Sequence, residues 1–570
     1  MKFDEILITV GEFGRYQKLI YIVFVLVSIP NAFQAISIVF LAGSSDHWCA
    51  VPQWKNENCS EWNVGIDECD ELKRYASIPQ TNASEVNQCS MYNVSTLPFV
   101  PLPDGNSTTA SPLIDYHSLD VVPCPAGWEH DTSQYTSTIN MDFGLVCDNK
   151  DLADISSSLW FVGVLTGSLV FGYIADRIGR LATMWVCITG QLVFGVAVAF
   201  APSFWWFAFL RTLLAMNNMG VFLVAFVLGT EFVGPSKRVV AGTGIMIGFS
   251  IGYMGLSVIA YLIRDWRHLQ LALSVPVVLF YVFIPFVPES ARWLLSVGKV
   301  EKANVVIDKI SKTNNVPLPQ PVFTQRDKLQ MQKERGENRA TLFDLFRNRN
   351  LRMESFNLLF NWFVESLVYY GLALSSSDFG VNVYIAAFVS GAIEVPAYVS
   401  SMFALEHFGR RPSTCFYLLL AGVACILTIV IPAGIGRVVM ATIGKFGVTA
   451  SFSIIYIYTA ELYPTPLRSV GIGMCSMSSR IGGIIAPLIR ISGRSWRPLP
   501  FIIYGAASIA AGLLALLLPE TKGRKLPETV EEGENFRNAT SDKKYIPVDE
   551  DDKDAVPMTT VNNAPDHLVV

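Results

Sequence analysis

Two ionisable side chains stand within long apolar stretches of the chain, Glu365 in residues 353–374 and Arg480 in residues 469–490. Placing a charge in hydrocarbon is costly, so such residues are expected to pair with one another or to bind a ligand. A guanidinium holds a carboxylate through two parallel hydrogen bonds, and a carboxylate can hold an ammonium group. One cationic and one anionic anchor across a cavity would suit a zwitterion.

Aromatic and polar side chains in these apolar stretches could complete such a site. Trp362 and Tyr369 lie about one helical turn from Glu365, and Tyr370 shares their helix. We therefore predict part of an aromatic cage for a quaternary amine. Further candidates for substrate contact, all from other apolar stretches, are Asn218, Glu394 and Lys445.

A structural interpretation remains open for each of these residues. Glu365 could pair with Arg480 or Lys445 as a bridge that never touches substrate. The aromatic side chains could face lipid or pack between helices. Glu394 precedes a proline, where it could serve the packing of a helix kink. Arg211 is expected to be a structural partner within the first half of the chain.

A charged turn occurs twice in the chain. Residues 172–180 read Gly-Tyr-Ile-Ala-Asp-Arg-Ile-Gly-Arg, and residues 405–411 repeat the pattern in altered form, with the matching glycines 230 positions apart. Glu231 and Glu461 have the same offset. Landmarks in register at one offset predict an internal duplication into two similar halves.

The charges in and near these turns predict a conformational switch. Ion pairs that tie neighbouring helices together can break and re-form, which gives two conformations of similar energy. The alternative is a static, solvated charge cluster. The residues assigned to the switch are Asp176, Arg177, Arg180, Glu231 and Arg238 in the first half, and Glu406, Arg410, Arg411, Glu461 and Arg468 in the second.

The chain is expected to span a membrane many times. Of its 570 residues, 51% are hydrophobic and 16% are charged, whereas soluble proteins carry about 25% charged residues. Runs of about 20 apolar residues can cross a bilayer as helices. Twelve such runs are predicted, at 19–43, 152–175, 181–201, 204–228, 239–262, 268–287, 353–374, 381–404, 412–432, 437–459, 469–490 and 498–518.

These runs predict an all-α membrane protein of two six-helix halves with a large disulfide-containing extracellular loop. The chain ends in Leu-Val-Val at 568–570, which could dock on a PDZ-type partner by strand addition. The predicted divisions are a cytoplasmic N-terminus (1–18), the first span (19–43), the loop (44–150), the remaining spans of the first half (151–288), a cytoplasmic linker (289–352), the second half (353–519) and a disordered cytoplasmic tail (520–570).

Residues 44–150 form a polar segment that we expect to fold outside the cell. An even number of cysteines in such a segment predicts a disulfide framework in an oxidising compartment, with the pairing left open. The cysteines are Cys49, Cys59, Cys69, Cys89, Cys124 and Cys147. Glycosylation sequons agree with this placement and occur at Asn58, Asn82, Asn93 and Asn106.

Lysines and arginines in the short loops predict the orientation. Arg177 and Arg410 fall on the side of the amino terminus, which the positive-inside rule places in the cytoplasm. Arg494 and Arg497 lie in a loop predicted to be outside, which runs against the rule.

Several classes of function are disfavoured. The net charge of −5 and the absence of a basic stripe argue against nucleic acid. Residues 229–236 resemble a phosphate loop, but Pro235 stands where a lysine would reach the phosphates, so ATP-driven pumping is not expected. No His/Cys/Asp cluster has the spacing of a metal site, so we expect neither an enzyme nor a metal or cofactor.

The turn at 172–180, its repeat and the two six-helix halves resemble the major facilitator superfamily. Within it, the chain is similar to the organic cation/anion/zwitterion transporter family in the cysteine-rich first loop and in segments 230–238, 288–294 and 459–464. The chain resembles the carnitine/ergothioneine branch of that family most at 263–267, 345–350 and 444–447. The match runs from residue 1 to about residue 532.

This resemblance implies a transporter that works by alternating access. Anion and carnitine-type members are similar in having an arginine at the position of Arg480, and the cation branch has an acid at the position of Glu365. Gln191 occupies the position of a glutamine linked in the carnitine branch to sodium coupling, which makes it a weak sodium candidate. The carnitine branch has polar residues where this chain has Val221 and Phe222.

The sequence thus predicts a plasma-membrane transporter of small organic zwitterions or cations, carnitine- or ergothioneine-like, with Na⁺ as the implied coupling ion. Two alternatives remain open. One is an organic anion exchanger that uses Arg480 while Glu365 is structural. The other is a non-transporting membrane receptor or scaffold that uses the glycosylated loop.

Overall fold

The computed structural model describes residues 3–54, 73–74, 76–82, 85–94, 119–318, 321–323, 343–375, 381–432 and 434–537. Helices make up most of these ranges, and three small two-stranded sheets lie between the first two long helices. The predicted all-α membrane architecture is confirmed. The predicted sites that lie outside the described residues are Cys59, Cys69, Asn58, Asn106 and the chain end at 568–570.

Most helices of the first half lie in long apolar runs of the sequence. They are, in chain order, α1 (Phe3–Thr9), α2 (Arg15–Ile36), α3 (Ile38–Leu41), α4 (Ile139–Asp142), α5 (Leu152–Ile178), α6 (Arg180–Ala199), α7 (Phe204–Glu231), α8 (Arg238–Leu262), α9 (Trp266–Ser274) and α10 (Phe280–Phe283). Prolines interrupt the last apolar run of the first half. A 3-10 turn at Val275–Leu279 joins α9 to α10, and a second 3-10 turn at Ile284–Phe286 follows α10.

The linker and the second half contain the remaining helices. They are α11 (Ala291–Ser296), α12 (Val300–Asn314), α13 (Asp344–Arg347), α14 (Arg349–Leu374), α15 (Val383–Ala392), α16 (Glu394–His407), α17 (Arg410–Val430), α18 (Ile435–Leu462), α19 (Arg468–Ser492), α20 (Leu499–Ala515) and α21 (Val530–Asn535). Ten helical segments of the described chain are long and apolar enough to cross a membrane. Polar residues such as Asn361 and Glu365 lower the hydropathy of α14, and α20 is shorter, with 17 residues.

The described residues between α3 and α5 form a small disulfide-bonded unit. Its antiparallel pairs are β1 (His47–Cys49) with β6 (Trp128–His130), β2 (Gln80–Asn82) with β3 (Glu85–Val86), and β4 (Ser90–Tyr92) with β5 (Val121–Pro123). Disulfides join Cys49 to Cys124 and Cys89 to Cys147. We call the helix ends that carry this unit the loop face.

The opposite helix ends carry α1, α11 and α12, and we call them the terminal face. The apolar side of α1 packs on α12 through Phe3 and Ile6, which are buried together with Ile307. Asn314 at the end of α12 donates to the carbonyl of Val10 at 3.1 Å. The amino-terminal segment is therefore a packed part of the first half.

The two halves meet along α5 with α19 and along α8 with α15. The Ser158 hydroxyl donates to the Ile484 carbonyl at 2.9 Å. Gly483 allows this approach, because a Cβ there would lie 2.7 Å from the Phe161 ring. These contacts lie in the part of α5 and α19 nearest the loop face, so the halves are closed against each other there.

Ion pairs complete this closure at the loop face. Asp154 is bonded to Arg490 at 3.1 Å and to Arg494 at 2.8 Å, and Arg494 also pairs with Asp151. The Lys150 carbonyl accepts a further hydrogen bond from Arg494 at 2.9 Å. Arg494, whose predicted outside position runs against the positive-inside rule, therefore has acidic partners from the other half.

The charged turn of the first half joins α5 to α6. Gly179 has a φ of +110°, a conformation that favours glycine. The Glu289 carboxylate accepts the backbone N–H groups of Arg180 and Leu181, both at 3.1 Å. It thereby satisfies the free donors at the start of α6 and suits the positive end of the helix dipole.

The second half repeats this arrangement between α16 and α17. Gly409 has a φ of +95°, and Glu520 accepts the N–H groups of Arg410 and Arg411, both at 3.0 Å. Glu520 also accepts the N–H groups of Thr521 and Lys522. One carboxylate thus fixes the start of α17 and the end of the last spanning passage.

Replacing Glu520 with alanine should destabilise the protein, because it leaves helix-end donors without a partner. We expect a loss of about 1–2 kcal/mol, the usual cost of losing a charged helix cap, visible as a lower unfolding temperature of the purified protein. Glu528→Ala is the control, since its side chain is 67% exposed and pairs with the exposed Lys525. Equal unfolding temperatures for the two variants would contradict the assignment.

Candidate functional site

A cavity of about 110 Å³ lies between the two halves. Its lining comes from α2, α5, α7 and α8 in the first half and from α14, α16, α18 and α19 in the second. The lining residues are Asn31, Ala35, Trp160, Val164, Asn218, Met219, Phe222, Met246 and Phe249 from the first half, and Ser366, Tyr369, Tyr370, Tyr398, Thr449, Phe452, Tyr456 and Arg480 from the second.

Arg480 is the only charged residue among the described residues that line this cavity. Its Nη2 lies 3.8 Å from the Met219 sulfur across the seam, and its Nε has no hydrogen-bond partner in the part of the chain that the structure describes. The hydroxyl of Tyr456 lies beside it. No ion pair between described residues neutralises Arg480, so its guanidinium can still accept an anionic ligand.

Tyrosine and phenylalanine rings form most of the second-half wall, together with Ser366 and Thr449. The Tyr369 and Tyr370 rings are perpendicular, with centroids 5.0 Å apart, and Tyr370 meets Phe161 edge-on at 4.4 Å. Tyr369 also stacks at 6.5 Å on Phe452. Two of the predicted cage residues therefore line the cavity.

Glu365 and Trp362, by contrast, do not line the cavity. The Glu365 carboxylate is fully buried and accepts a hydrogen bond from Ser451 at 2.5 Å, while its other oxygen has no hydrogen-bond partner among the described residues. Trp362 donates to Thr459 at 3.0 Å and supports the Tyr456 ring from behind at 4.3 Å. The structure does not bring Glu365 and Arg480 together, so the predicted pair of facing anchors is not formed in this arrangement.

Glu394 and Lys445 form a buried ion pair next to the cavity. Their charged atoms are 3.1 Å apart, although poorly aligned for a hydrogen bond, and both side chains are almost fully buried. Glu394 also accepts hydrogen bonds from Tyr369 at 2.6 Å and from Ser250 of the first half at 2.7 Å. The Lys445 ammonium lies over the rings of Tyr253 and Tyr369, at 4.4 and 4.7 Å. Lys445 is thus paired with Glu394, and the open alternative of a Glu365–Lys445 bridge is not what forms.

Asn218 connects the cavity to Gln191 and Asn31, two polar residues of the first half. It lines the cavity, accepts a hydrogen bond from Gln191 at 3.1 Å and donates to the Asn31 carbonyl at 3.3 Å. Gln191 itself is buried and lies behind this wall.

The predicted switch residues of the first half lie at the terminal face. Arg180 pairs with Asp176 at 3.0 Å and approaches Glu231 at 3.7 Å. Arg177 lies over the Tyr173 ring at 4.9 Å. Arg238, which the sequence suggested as a partner within this cluster, is instead bonded at 2.6 Å to Asp4 of α1.

The second half brings its switch residues together in a similar way. Arg410 pairs with Glu461 at 2.7 Å, and Glu461 also accepts a hydrogen bond from Thr521 at 2.6 Å. Arg468 lies near Glu461, whereas Glu406 and the side chain of Arg411 face the exposed surface.

Several residues of this site were not predicted from the sequence. Tyr398 and Tyr456 line the cavity, and Asp151 and Asp154 close the loop face. Asp154 could have been found from the sequence, because it is an acid at the start of an apolar run. Glu289 and Glu520 were noted only as markers of the repeat. Tyr398 and Tyr456 had no distinguishing pattern among the many aromatic residues.

Comparison with known proteins identifies the family. The sugar (and other) transporter family matches residues 126–532. The organic cation transporter protein of Drosophila melanogaster is 38% identical over 94% of this chain and 95% of its own length. The human organic cation/carnitine transporter 2 is 35% identical and human solute carrier family 22 member 13 is 36% identical, each over 93% of both chains.

Solved structures of similar fold agree with this assignment. The inward open conformation of the xylose transporter XylE from E. coli has a TM-score of 0.57 and 16% identity, over 70% of this chain and 93% of that one. At this identity the likeness supports the fold alone. The chain therefore belongs to the sugar (and other) transporter family of the major facilitator superfamily, and within it to solute carrier family 22, so that it is a membrane transporter.

Proposed function

We propose that the protein carries small organic zwitterions, holding the substrate carboxylate with Arg480 and its ammonium with the tyrosine rings. The observation that carries this proposal is the cavity in which one unneutralised guanidinium faces Tyr369, Tyr370, Tyr398 and Tyr456. The relatives named as organic cation/carnitine transporters support a substrate of this class.

The carboxylate end of the substrate belongs at Arg480. The Nε of Arg480 has no hydrogen-bond partner among the described residues, and its Nη2 contacts the Met219 sulfur, which is a weak acceptor. A ligand carboxylate can therefore take both N–H groups through two parallel hydrogen bonds. Tyr456 lies beside it and can donate a third. An ammonium group would be repelled from this end of the cavity.

The ammonium end belongs at Tyr369 and Tyr398. The Tyr369 hydroxyl donates to the Glu394 carboxylate, which makes its ring richer in electrons and a better surface for a cation. Lys445 balances most of the charge of Glu394, so the aromatic faces and not a free acid hold the ammonium. Glu365 acts from behind the wall and needs no contact with substrate.

We infer that the loop face is extracellular and that the protein lies in the plasma membrane. Two disulfides on that face are of a kind that forms in oxidising compartments, and the sequon residue Asn93 is exposed there. Arg177 and Arg411 lie at the terminal face, as the positive-inside rule expects of the cytoplasmic side. The contacts at the loop face would then close the cavity to the outside, and their rupture would open it.

A second candidate is the exchange of organic anions. It is favoured by Arg480 being the only charged residue of the described lining, since an anion needs no partner for an ammonium group. Uptake assays separate the two candidates, because an anion exchanger would prefer a dicarboxylate to a zwitterion.

The proposal of sodium coupling depends on Gln191. Its amide is hydrogen-bonded to Asn218, so an ion held near Gln191 would act on a residue that lines the cavity. We propose that replacing external sodium with a large organic cation lowers zwitterion uptake. Uptake that is indifferent to sodium would remove coupling from the proposal and leave facilitated transport.

Replacing Arg480 with alanine should strongly weaken the binding of zwitterions, because the charge-assisted bonds to the carboxylate are lost. We expect a rise in KM of about tenfold to a hundredfold for ergothioneine and carnitine, measured in cells with surface expression checked. Arg437→Ala is the matched control, because its guanidinium is held by the Ile431 carbonyl and does not line the cavity. Uptake of a dicarboxylate alone, dependent on Arg480, would favour the anion exchanger.

Replacing Tyr398 with leucine should weaken zwitterion binding while phenylalanine at the same position keeps it. The loss of a ring facing an ammonium corresponds to about a threefold to thirtyfold rise in KM. The readout is the ratio of zwitterion to dicarboxylate uptake, which a purely structural defect would not change. An equal loss in both substitutions would assign the effect to the hydroxyl and not to the ring.

Replacing Asp154 with asparagine should favour opening of the loop face, because Arg490 and Arg494 lose their buried acidic partner. The measurement is the rate at which an impermeant maleimide labels a cysteine introduced by Ser157→Cys from outside the cell. We expect this rate to rise tenfold or more, which corresponds to the loss of one charged hydrogen-bonded pair. Asp151→Asn is the control, since Asp151 is half exposed and should change the rate less. Unchanged labelling in the Asp154 variant would contradict a role in closure.

A further inference from the structure

Glu365 is a buried acid that the proposed binding of substrate does not use. Its side chain is fully buried in α14. One carboxylate oxygen is joined to the Ser451 hydroxyl at 2.5 Å, and the other has no hydrogen-bond partner among the described residues. A carboxylate that is ionised away from water needs a cation or several hydrogen-bond donors. Glu365 has one donor and, in the described part of the chain, no ion pair.

The neighbouring cations of the second half are placed elsewhere. Lys445 of α18 is paired with Glu394 of α16 at 3.1 Å. Arg480 of α19 faces the cavity. Tyr456 of α18 is close to both Arg480 and Glu365, since its hydroxyl lies beside the guanidinium and near enough to Glu365 to be affected by its charge. Arg480 is therefore the cation for which an ionised Glu365 would compete.

The other titratable side chains around Glu365 offer it no positive charge. Tyr369, one turn further along α14, donates to Glu394 at 2.6 Å. The helix α20 packs on α14 and contains no charged residue, and its Tyr504 donates to a backbone carbonyl of α19. The neutral acid fits these surroundings, because its O–H can donate to the Ser451 oxygen across the same 2.5 Å. This arrangement is therefore that of a protonated Glu365.

We propose that Glu365 binds a proton from solution when a carboxylate occupies Arg480, and releases it when the cavity is empty. An ionised Glu365 is stabilised by turning toward Arg480 in place of Tyr456, and a ligand carboxylate on the guanidinium removes that stabilisation. The two acids thus compete for one cation. Because linkage is reciprocal, a proton on Glu365 strengthens the binding of the carboxylate by the same factor. This inference rests on the proposed role of Arg480 in holding the substrate.

This linkage balances charge during binding. The ligand carboxylate and the proton enter the second half together, so the negative charge of the one is offset by the positive charge of the other. A quaternary cation without a carboxylate does not engage Arg480 and takes up no proton. Proton uptake therefore distinguishes ligands that reach the guanidinium from ligands that do not.

The first test is isothermal titration calorimetry of the purified full-length protein with carnitine and, separately, with benzoate. Carnitine is a zwitterion and benzoate is a carboxylate without an ammonium group, and both stay ionised between about pH 6 and about pH 8. Titration in two buffers of different ionisation enthalpy counts the protons taken up. We expect uptake of a fraction of one proton per bound ligand, and a dissociation constant about threefold to tenfold lower at the acidic end of this range.

Glu365→Gln keeps the shape of the side chain and fixes it in a neutral form. This variant should take up no proton, and across the whole pH range its dissociation constant should match the value of the native protein at the acidic end. Glu354→Gln is the matched control and should keep the uptake, because Glu354 is a buried acid of the same helix that lies near Glu534 and Arg537 at the terminal face. A purely structural role of Glu365 would instead weaken binding equally at every pH.

Infrared spectroscopy of the protein without ligand observes the same carboxyl group directly, because the carbonyl of a protonated acid absorbs apart from the amide bands. We expect the native protein to gain such absorption as the pH is lowered over the same range, and Glu365→Gln to lack this gain. Identical spectra of the two proteins at every pH would overturn the inference, whether or not either probe binds.

The outcomes separate this inference from the proposed function. Carnitine that binds without proton uptake would contradict the proton site and leave zwitterion transport intact. Benzoate that binds with proton uptake, while carnitine does not bind, would support the proton site and contradict zwitterion transport. Uptake that persists in Glu365→Gln would assign the proton to another residue and would also overturn the inference.

Discussion

A charge buried between membrane helices must find its partner within the protein, because the surrounding hydrocarbon offers none. Glu394 and Lys445 satisfy each other in this way at the side of the cavity. The remaining capacity of the carboxylate is used by Tyr369 from its own half and by Ser250 from the other. One buried ion pair therefore fixes a cavity wall and also contributes to the seam between the halves, so the shape of the site and the closure of the halves are energetically linked.

The two halves repeat one device at the terminal face and differ in what they attach to it. In each half a carboxylate caps the helix after the charged turn, and an arginine of that turn approaches a glutamate from the next helix pair. The first half adds Asp4 of the amino-terminal helix through Arg238, whereas the second adds Thr521 through Glu461. Duplication accounts for the common geometry, and the additions make the two turns respond to different segments of the chain.

The spans, the duplication and the charged turns could be predicted from the sequence because apolar length and repeat offset are properties of the chain itself. The direction in which individual side chains point could not be predicted. The polar residues of the helix around Glu365 are spread over all of its sides, so no periodicity shows which of them face a cavity. Arg480 does face it, while Glu365 is turned toward Ser451. The partners of Arg494 come from the other half, some 340 residues away, and no local pattern could indicate them.

Arg480 differs from the paired charges around it, and this difference bears on specificity. The charge of Lys445 is balanced by Glu394 within the protein, so it gives no net preference for an anionic ligand. Arg480 has no such partner, and its guanidinium is better satisfied by a ligand with a carboxylate than by a neutral or cationic one. A ligand that displaced water from the cavity without an anionic group would leave the guanidinium desolvated and unpaired, which is a penalty of several kcal/mol on the order seen for buried charges. Discrimination against such molecules then follows from the cost of the wrong ligand as much as from the bonds to the right one.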